Sequence, residues 1–272
     1  MIDFIIDMQG CTFAKNVQYM RKSLMVISFL MGSIFSFSQD TSTKELHVSG
    51  NIGVTNNGIS IIPTFSLKEP AFSLIYSFSR GGRFSIDPDI RLTFDGRKGS
   101  GIVWFRYKLK TEGKFKVNIG IHPAYNLALR TITDEGKPLV MTQARRFIAT
   151  EFAPTYKVNN HLNFGVYYLK GTGLQKDGPQ SVHFINFITG VTNIPLISGY
   201  SFNVTPQLYY LKSDKQDGYY FNSNVVLAKQ KSPFVLMYML NKEIRSNVAG
   251  SVNFDWNLSL LYNFKHKFKS FK

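Results

Sequence analysis

A strict alternation of apolar and polar side chains constrains this chain more than any other feature. In residues 83–95, every second side chain is apolar, and the intervening ones from Ser85 to Asp95 are all polar. Side chains of a β-strand point alternately to its two faces, so the pattern predicts a strand with one apolar and one polar face. No helical period competes, and the same split recurs in 58–68, 101–110, 115–130, 200–210 and 254–264.

Twelve such strands are predicted, joined by short turns. An even number of strands is what a single-chain bacterial barrel requires. The connections alternate between a shorter and a longer set, and all hold eight residues or fewer by this assignment. We therefore expect no connection long enough to fold into the lumen. The predicted strands are 58–67, 71–80, 83–95, 100–111, 114–131, 138–158, 161–171, 180–193, 198–212, 218–229, 233–243 and 251–264.

Composition and the placement of aromatic residues indicate what covers the apolar faces. Aromatic residues make up 15% of the chain and charged residues 18%, and this charged fraction is below the roughly 25% of typical soluble domains. Aromatic residues such as Phe84 and Phe94 lie at the ends of apolar faces, where membrane barrels carry interfacial girdles. A soluble β-sandwich is the alternative, but its apolar faces carry fewer terminal aromatics. The predicted fold class is all-β, a transmembrane up-and-down antiparallel barrel of about twelve strands.

The N-terminal region predicts export. Arg21 and Lys22 precede a short apolar stretch that ends in small and polar residues at Gln39. This is the pattern of a cleaved signal peptide, and the stretch is short for a spanning helix. The predicted organisation is an upstream extension from misplaced initiation at 1–19, a signal peptide at 20–39, an N-terminal periplasmic or lumenal segment at 40–57, the barrel at 58–264 and a basic C-terminal tail at 265–272.

The closing stretch 254–264 alternates up to a final aromatic residue. It resembles the C-terminal assembly signal of bacterial outer-membrane β-barrel proteins, and the signal peptide ending in Phe37-Ser38-Gln39 is similar to those of Bacteroidota. No subfamily is indicated. The resemblance implies an outer-membrane location, outer-membrane lipids and the barrel-assembly machinery as partners, and a role in assembly for Trp256, Tyr262 and Phe264.

A formal net charge of +15 favours anionic partners. Export makes nucleic acid an unsuitable partner, so anionic solutes or lipid headgroups fit better. The polar strand faces carry more cations than acids, and we expect the cations Arg91, Arg106, Lys108, Lys116 and Arg130 to form one patch on the inner wall. A wet, weakly anion-selective lumen would follow. The predicted lumen-lining residues are Asp87, Asp89, Arg91, Arg106, Lys108, Lys116, His122 and Arg130.

Residues in catalytic or metal-binding patterns are few. The one cysteine, Cys11, precedes the signal peptide, so the mature chain offers no thiolate site. The stretch from His47 to Ser49 has the His-x-Ser spacing of outer-membrane lipid hydrolases, but it precedes the predicted barrel. Asp87 and Asp89 share a face with a neighbouring arginine, which favours charge pairing over catalysis or calcium binding. No catalytic residue, metal or cofactor is predicted.

Three functions are compatible with these patterns. The favoured one is a porin-like, non-enzymatic channel or transporter for small solutes. The second is a non-conducting structural or interaction barrel with a charge-paired, filled lumen. The third is an outer-membrane lipid-modifying enzyme. Twelve strands lie between eight-stranded barrels filled by side chains and sixteen-stranded open porins, so the strand number permits a filled or an open lumen.

Overall fold

The computed structural model describes residues 45–134, 137–176 and 178–268. The predicted upstream extension and signal peptide lie outside them. Twelve antiparallel strands form one closed barrel, each pairing with its neighbours in sequence and the first pairing with the last. The predicted fold class and strand number are confirmed. The strands are β1 (Leu46–Thr55), β2 (Ala71–Ser79), β3 (Phe84–Thr93), β4 (Gly99–Lys110), β5 (Phe115–Asp134), β6 (Lys137–Lys157), β7 (Leu162–Gly173), β8 (Ser181–Pro195), β9 (Tyr200–Ser213), β10 (Gln216–Lys229), β11 (Phe234–Ser246) and β12 (Phe254–Phe268).

The connections divide the barrel into two ends, which we call the turn end and the loop end. The turn end holds Leu46 and Phe268, which pair with each other. Its connections are uniformly short: 80–83, 111–114, 158–161, 196–199 and 230–233. The loop end has the longer connections 56–70, 94–98, 174–180 and 247–253. Short turns at one end and longer loops at the other are typical of outer-membrane barrels.

The two strand faces are oriented as the alternation predicts. In β3, Asp87 and Thr93 are buried inside the barrel, whereas Ile90 and Leu92 are exposed on its outside. Outward apolar side chains recur on the other strands and form a belt that lipid covers in a transmembrane barrel. None of the helical turns in the described part of the chain is long and apolar enough to cross a membrane.

The position of the first strand corrects the prediction. β1 lies inside the range 40–57, which was predicted to be a periplasmic or lumenal segment, and it pairs with both β2 and β12. Residues 58–67 form no strand. β1 itself alternates, with Leu46, Val48, Ile52 and Val54 on its apolar face, but counting it in addition to 58–67 gives thirteen strands, an odd number that disfavours it. Residues 56–70 fold into the lumen instead, so the expectation that no connection reaches the lumen is wrong.

The last strand is longer than predicted. β12 continues to Phe268, and Lys265 and Lys267 pair with residues of β1. These lysines alternate with Phe264 and His266, so they continue the polar, inward face of the strand. The barrel therefore spans 46–268 instead of 58–264, and only 269–272 of the predicted basic tail lies outside the described residues. The predicted assembly residues Trp256, Tyr262 and Phe264 lie on the outward face of β12.

Candidate functional site in the barrel lumen

Residues 56–70, which we call the inner segment, connect β1 to β2 inside the barrel. Its side chains Ile59 and Leu67 are each only 3% exposed, and Pro63–Phe65 forms a single 3-10 turn. Gly58 has a φ of +54°, and a Cβ there would lie 3.0 Å from the Glu69 carbonyl oxygen, so glycine lets the chain turn inward. Apolar side chains buried in this way indicate a packed segment and not a solvated surface loop.

Hydrogen bonds between Asn56 and Leu258 and an ion pair of Glu69 with Lys98 fix the two ends of the inner segment, and two further contacts fix its middle to the barrel wall. The Tyr209 hydroxyl on β9 donates a hydrogen bond of 2.6 Å to the Ile61 carbonyl oxygen. The Phe65 ring meets the edge of Phe147 on β6, with 5.6 Å between ring centroids. Ile62 lies in the apolar cluster that fills this level of the lumen. The inner segment therefore narrows the lumen, and side chains instead of a strand ladder hold its middle in place.

An ion-pair network, which we call the central network, runs along the inner wall from β3 to β7 beside this cluster. The Arg106 guanidinium donates to Asp87 at 2.9 Å and to Glu151 at 2.7 Å. The Tyr167 hydroxyl donates to the second Glu151 oxygen at 2.8 Å. Arg106 also lies over the Trp104 ring, 4.3 Å from its centroid. Two carboxylates against one guanidinium give this network a formal charge of −1.

Gly120 makes the central network possible. Arg106 on β4 pairs in register with Gly120 on β5, which in turn pairs with Glu151 on β6. The two charged residues are thus two strands apart, about 9.6 Å at the usual strand spacing. A Cβ at Gly120 would lie 2.7 Å from the Glu151 carboxylate oxygen. The missing side chain gives the carboxylate the space in which it meets the guanidinium.

We predict that Gly120→Ala lowers the stability of the barrel by about 1–3 kcal/mol, because it displaces the buried Glu151 carboxylate from its hydrogen bonds. Urea unfolding followed by tryptophan fluorescence measures this loss. Gly101→Ala on β4 is the matched control, since a Cβ there meets nothing within 4 Å. Equal stability of the two variants would contradict this role of Gly120.

The structure separates the five cations that were predicted to form one patch: Arg91, Arg106, Lys108, Lys116 and Arg130. Arg91 pairs with Asp89 at 3.0 Å, and Arg106 belongs to the central network. Lys108 and Lys116 are exposed towards the turn end. Arg130 lies towards the loop end and donates to Gln143 at 3.3 Å. Lys116 and Arg130 lie on the same strand about 45 Å apart, at about 3.3 Å per residue, so one patch is geometrically excluded.

A cavity of about 320 Å³ lies between the inner segment and the wall, and His122 is part of its lining. The His122 ring contacts Trp104 in a tilted arrangement with 3.8 Å between centroids, and neither of its nitrogens has a hydrogen-bond partner. Asn186 also lines the cavity. Its amide nitrogen donates to Gln207 at 2.5 Å, whereas its oxygen has no partner. Two buried polar side chains therefore carry unsatisfied groups in a mainly apolar cavity.

The histidine–serine pairs have weak geometry. His47 and Ser49 lie in β1, not before the barrel, and the nearest charged group to the imidazole is Glu45 at 3.8 Å. A pair of reverse order, Ser181 and His183, was missed in the sequence; its hydroxyl lies 3.4 Å from the imidazole, at the long limit of a hydrogen bond. Within the described ranges, no group of three His, Cys, Asp or Glu side chains is arranged to hold a metal ion.

Several residues of the site escaped the sequence prediction, which named Asp87, Asp89, Arg91, Arg106 and His122 at this level of the lumen. Trp104 had a detectable signal, because it is a large aromatic residue on an otherwise polar strand face. The others have no local signal, since their roles depend on which strands lie side by side. They are Gly120, Tyr167, Asn186 and Tyr209.

The sequence matches no protein-family model and no curated protein. Among solved structures, the chain is similar to an outer-membrane channel from Pseudomonas putida F1, with a TM-score of 0.48 and 11% identity over 83% of this chain and 99% of that one. It is also similar to the KdgM porin in complex with disordered oligogalacturonate, with a TM-score of 0.47 and 11% identity over 80% of this chain and 99% of that one. The NanC porin is similar with a TM-score of 0.44 and 14% identity over 83% of this chain and 100% of that one. At these identities the likeness concerns the fold alone.

Proposed function

We propose that this barrel is a passage for small solutes in the bacterial outer membrane, narrowed and controlled by the inner segment. The observation that carries the proposal is the position of the inner segment, which lies in the lumen outside the strand ladder. An apolar constriction is one of the known ways of gating a pore. Because the middle of the segment lies outside the strand ladder, its displacement leaves the barrel wall intact.

The proposed location rests on the export pattern at 20–39 and on the outward apolar belt. A closed barrel leaves no open strand edge in the hydrocarbon, which is why barrels and helices are the structures that span membranes. Outer-membrane lipids and the barrel-assembly machinery are the proposed partners. The aromatic residues Trp256, Tyr262 and Phe264 at the lipid face of β12 are the proposed contacts for assembly.

The charges of the lumen favour at most a weak anion preference. Lys108 and Lys116 concentrate anions at the turn end, because exposed cations of one sign attract counter-ions to a mouth. The central network opposes this preference with its formal charge of −1. Reversal potentials of the mature protein in planar bilayers under a KCl gradient measure the resulting preference for anions over cations. We expect a small anion preference that Lys108→Gln with Lys116→Gln abolishes, and an unchanged potential would contradict the role of these lysines.

Tyr209→Phe is expected to make the conductance fluctuate more often between levels, because it removes the hydrogen bond to the Ile61 carbonyl. Tyr220→Phe is the matched control. Tyr220 stacks on Tyr209 at 4.7 Å, but its hydroxyl bonds to Ser246 and Ser251 outside the inner segment. Single-channel recordings compare the two variants. The same gating in both would show that the Tyr209 contact does not hold the segment.

A filled structural barrel is the second candidate, and the central network favours it. Charge pairing along the inner wall and the apolar cluster around Ile62 leave little free cross-section. This candidate predicts no conductance in the intact protein and none after removal of the inner segment. If the shortened variant conducts and the intact protein does not, the barrel is a passage whose resting state is closed by the inner segment.

A further inference from the structure

We propose that the cavity beneath the inner segment binds a small, uncharged and largely apolar molecule that carries a hydroxyl or N–H group. The biological role of this binding rests on the proposed passage, whereas the binding itself is measurable without transport. The inner segment forms one wall of the cavity through Ile61, Ile62 and Phe65. An occupant is therefore in direct contact with the element that narrows the lumen.

The size and lining of the cavity set the bulk of the ligand. Its volume of about 320 Å³ lies at the lower end of the ~300–1,000 Å³ typical of small-molecule sites. Most of the wall is aliphatic or aromatic, with Trp104, Phe147, Leu169 and Phe184 facing the inner segment. Such a wall favours one or two hydrocarbon rings, because burying apolar surface drives binding.

His122 and Asn186 set the polar part of the ligand. They are 5% and 2% exposed, and both ring nitrogens of His122 and the side-chain oxygen of Asn186 have no partner. A buried polar group without a partner is unfavourable, so a molecule that supplies one gains affinity. A neutral imidazole offers one donor and one acceptor, and an amide oxygen accepts. A ligand hydroxyl can donate to one of the acceptors and accept from the imidazole N–H, whereas a ligand N–H pairs with one acceptor.

The charges around the cavity exclude an ionised ligand. Among the described residues of its lining, the acidic and basic side chains are Asp89 and Arg91. They bind each other through two hydrogen bonds of 3.1 and 3.0 Å. A carboxylate or ammonium group would enter an apolar cavity without a free counter-charge, which is costly.

Trp104 in the wall provides a direct readout. The chain has two tryptophans, and Trp256 lies on the lipid face, so Trp256→Phe leaves Trp104 as the single reporter. The probe is 2-naphthol, compared with naphthalene, which lacks the hydroxyl, and with 2-naphthoate, which is charged. We expect saturable quenching of Trp104 by 2-naphthol, with an affinity roughly tenfold above that for naphthalene, about the effect of one hydrogen bond. For 2-naphthoate we expect no saturable quenching.

Variants in the Trp256→Phe background distinguish binding in the cavity from partition of the probe into the detergent. Asn186→Leu and His122→Phe should each lower the affinity for 2-naphthol roughly tenfold, towards that for naphthalene. Asn126→Leu is the matched control, because Asn126 is buried but does not line this cavity. Ala149→Leu should abolish saturable binding of both uncharged probes, since Ala149 lines the cavity and the larger side chain fills it. Retained resistance to unfolding in detergent identifies the variants that are folded.

Absence of saturable quenching by 2-naphthol overturns the proposal, and so does equal affinity for 2-naphthol in the unchanged and the Asn186→Leu proteins. Binding by a barrel that does not conduct supports the site and contradicts only the passage. Conductance without binding contradicts only the site.

Discussion

Replacing residues 59–67 by a short glycine–serine linker is expected to raise the single-channel conductance of the barrel several-fold. The inner segment carries Ile62 and Phe65 into the lumen, where they pack against the wall. Without them, the twelve-stranded wall encloses a wider aqueous path, intermediate between filled eight-stranded barrels and open sixteen-stranded porins. Planar-bilayer recordings of the refolded mature chain measure the change.

A matched control removes a similar length of chain from the same end of the barrel. The strands β5 and β6 extend at the loop end beyond their neighbours in the barrel. The pairing of β5 with β4 ends at Leu127, and the pairing of β6 with β7 ends at Phe147, so that 129–134 and 137–142 pair with each other alone. Replacing 131–139 by the same linker should leave the conductance unchanged. A similar rise in both variants would mean that general loosening of the loop end, and not the inner segment, limits the passage.

Ile90→Arg is expected to block assembly of the barrel, whereas Ile75→Arg should be tolerated far better. Ile90 points to the lipid and is 46% exposed, and an arginine at the middle of the apolar belt costs about 2–4 kcal/mol. Ile75 on β2 faces the lumen and borders a cavity there, so an arginine at this position keeps its charge away from the lipid. Outer-membrane fractionation and heat-modified gel migration measure the assembled fraction.

The choice of Ile75 as control depends on burial, which alternation alone does not reveal: Ile75 is half-buried and borders a cavity. Thr93 also faces inward, but it is only 2% exposed and its hydroxyl is engaged with Asp95 and Lys98. Thr93→Arg is therefore expected to disturb packing, although it lies on the polar face. Equal damage from the two isoleucine variants would indicate that the outer face packs against protein and not lipid.

The alternation predicted most strand faces correctly, because one face of each strand meets the lumen and the other faces outward. It failed at the first strand, since an alternating segment is not necessarily part of the wall. Residues 58–67 and β1 both alternate, so the pattern alone does not decide which of the two belongs to the wall, and 58–67 lie inside the lumen. The predicted number of twelve was right because one strand was wrongly assigned and another was missed.

The ion pairs of the lumen lay beyond the reach of one sequence, because they depend on register between strands. Arg106 and Glu151 are 45 positions apart and meet only because β4, β5 and β6 align them across Gly120. A single sequence does not give that register, and the cations on the polar faces were therefore predicted to form one patch. The pairing of Arg91 with Asp89 was accessible from the sequence, since both lie on one strand at a spacing of two.

The pairing of β1 with β12 joins the first and the last strand of the barrel, since Leu46 meets Phe268. A contact between residues so distant in sequence carries a large loop-closure entropy and makes folding slow. Until β12 arrives, β1 and β11 each present an unpaired edge that is open to other chains. Synthesis from the N-terminus therefore yields no stable partial barrel, and a chain that ends before residue 254 is expected to aggregate instead of closing into a smaller barrel.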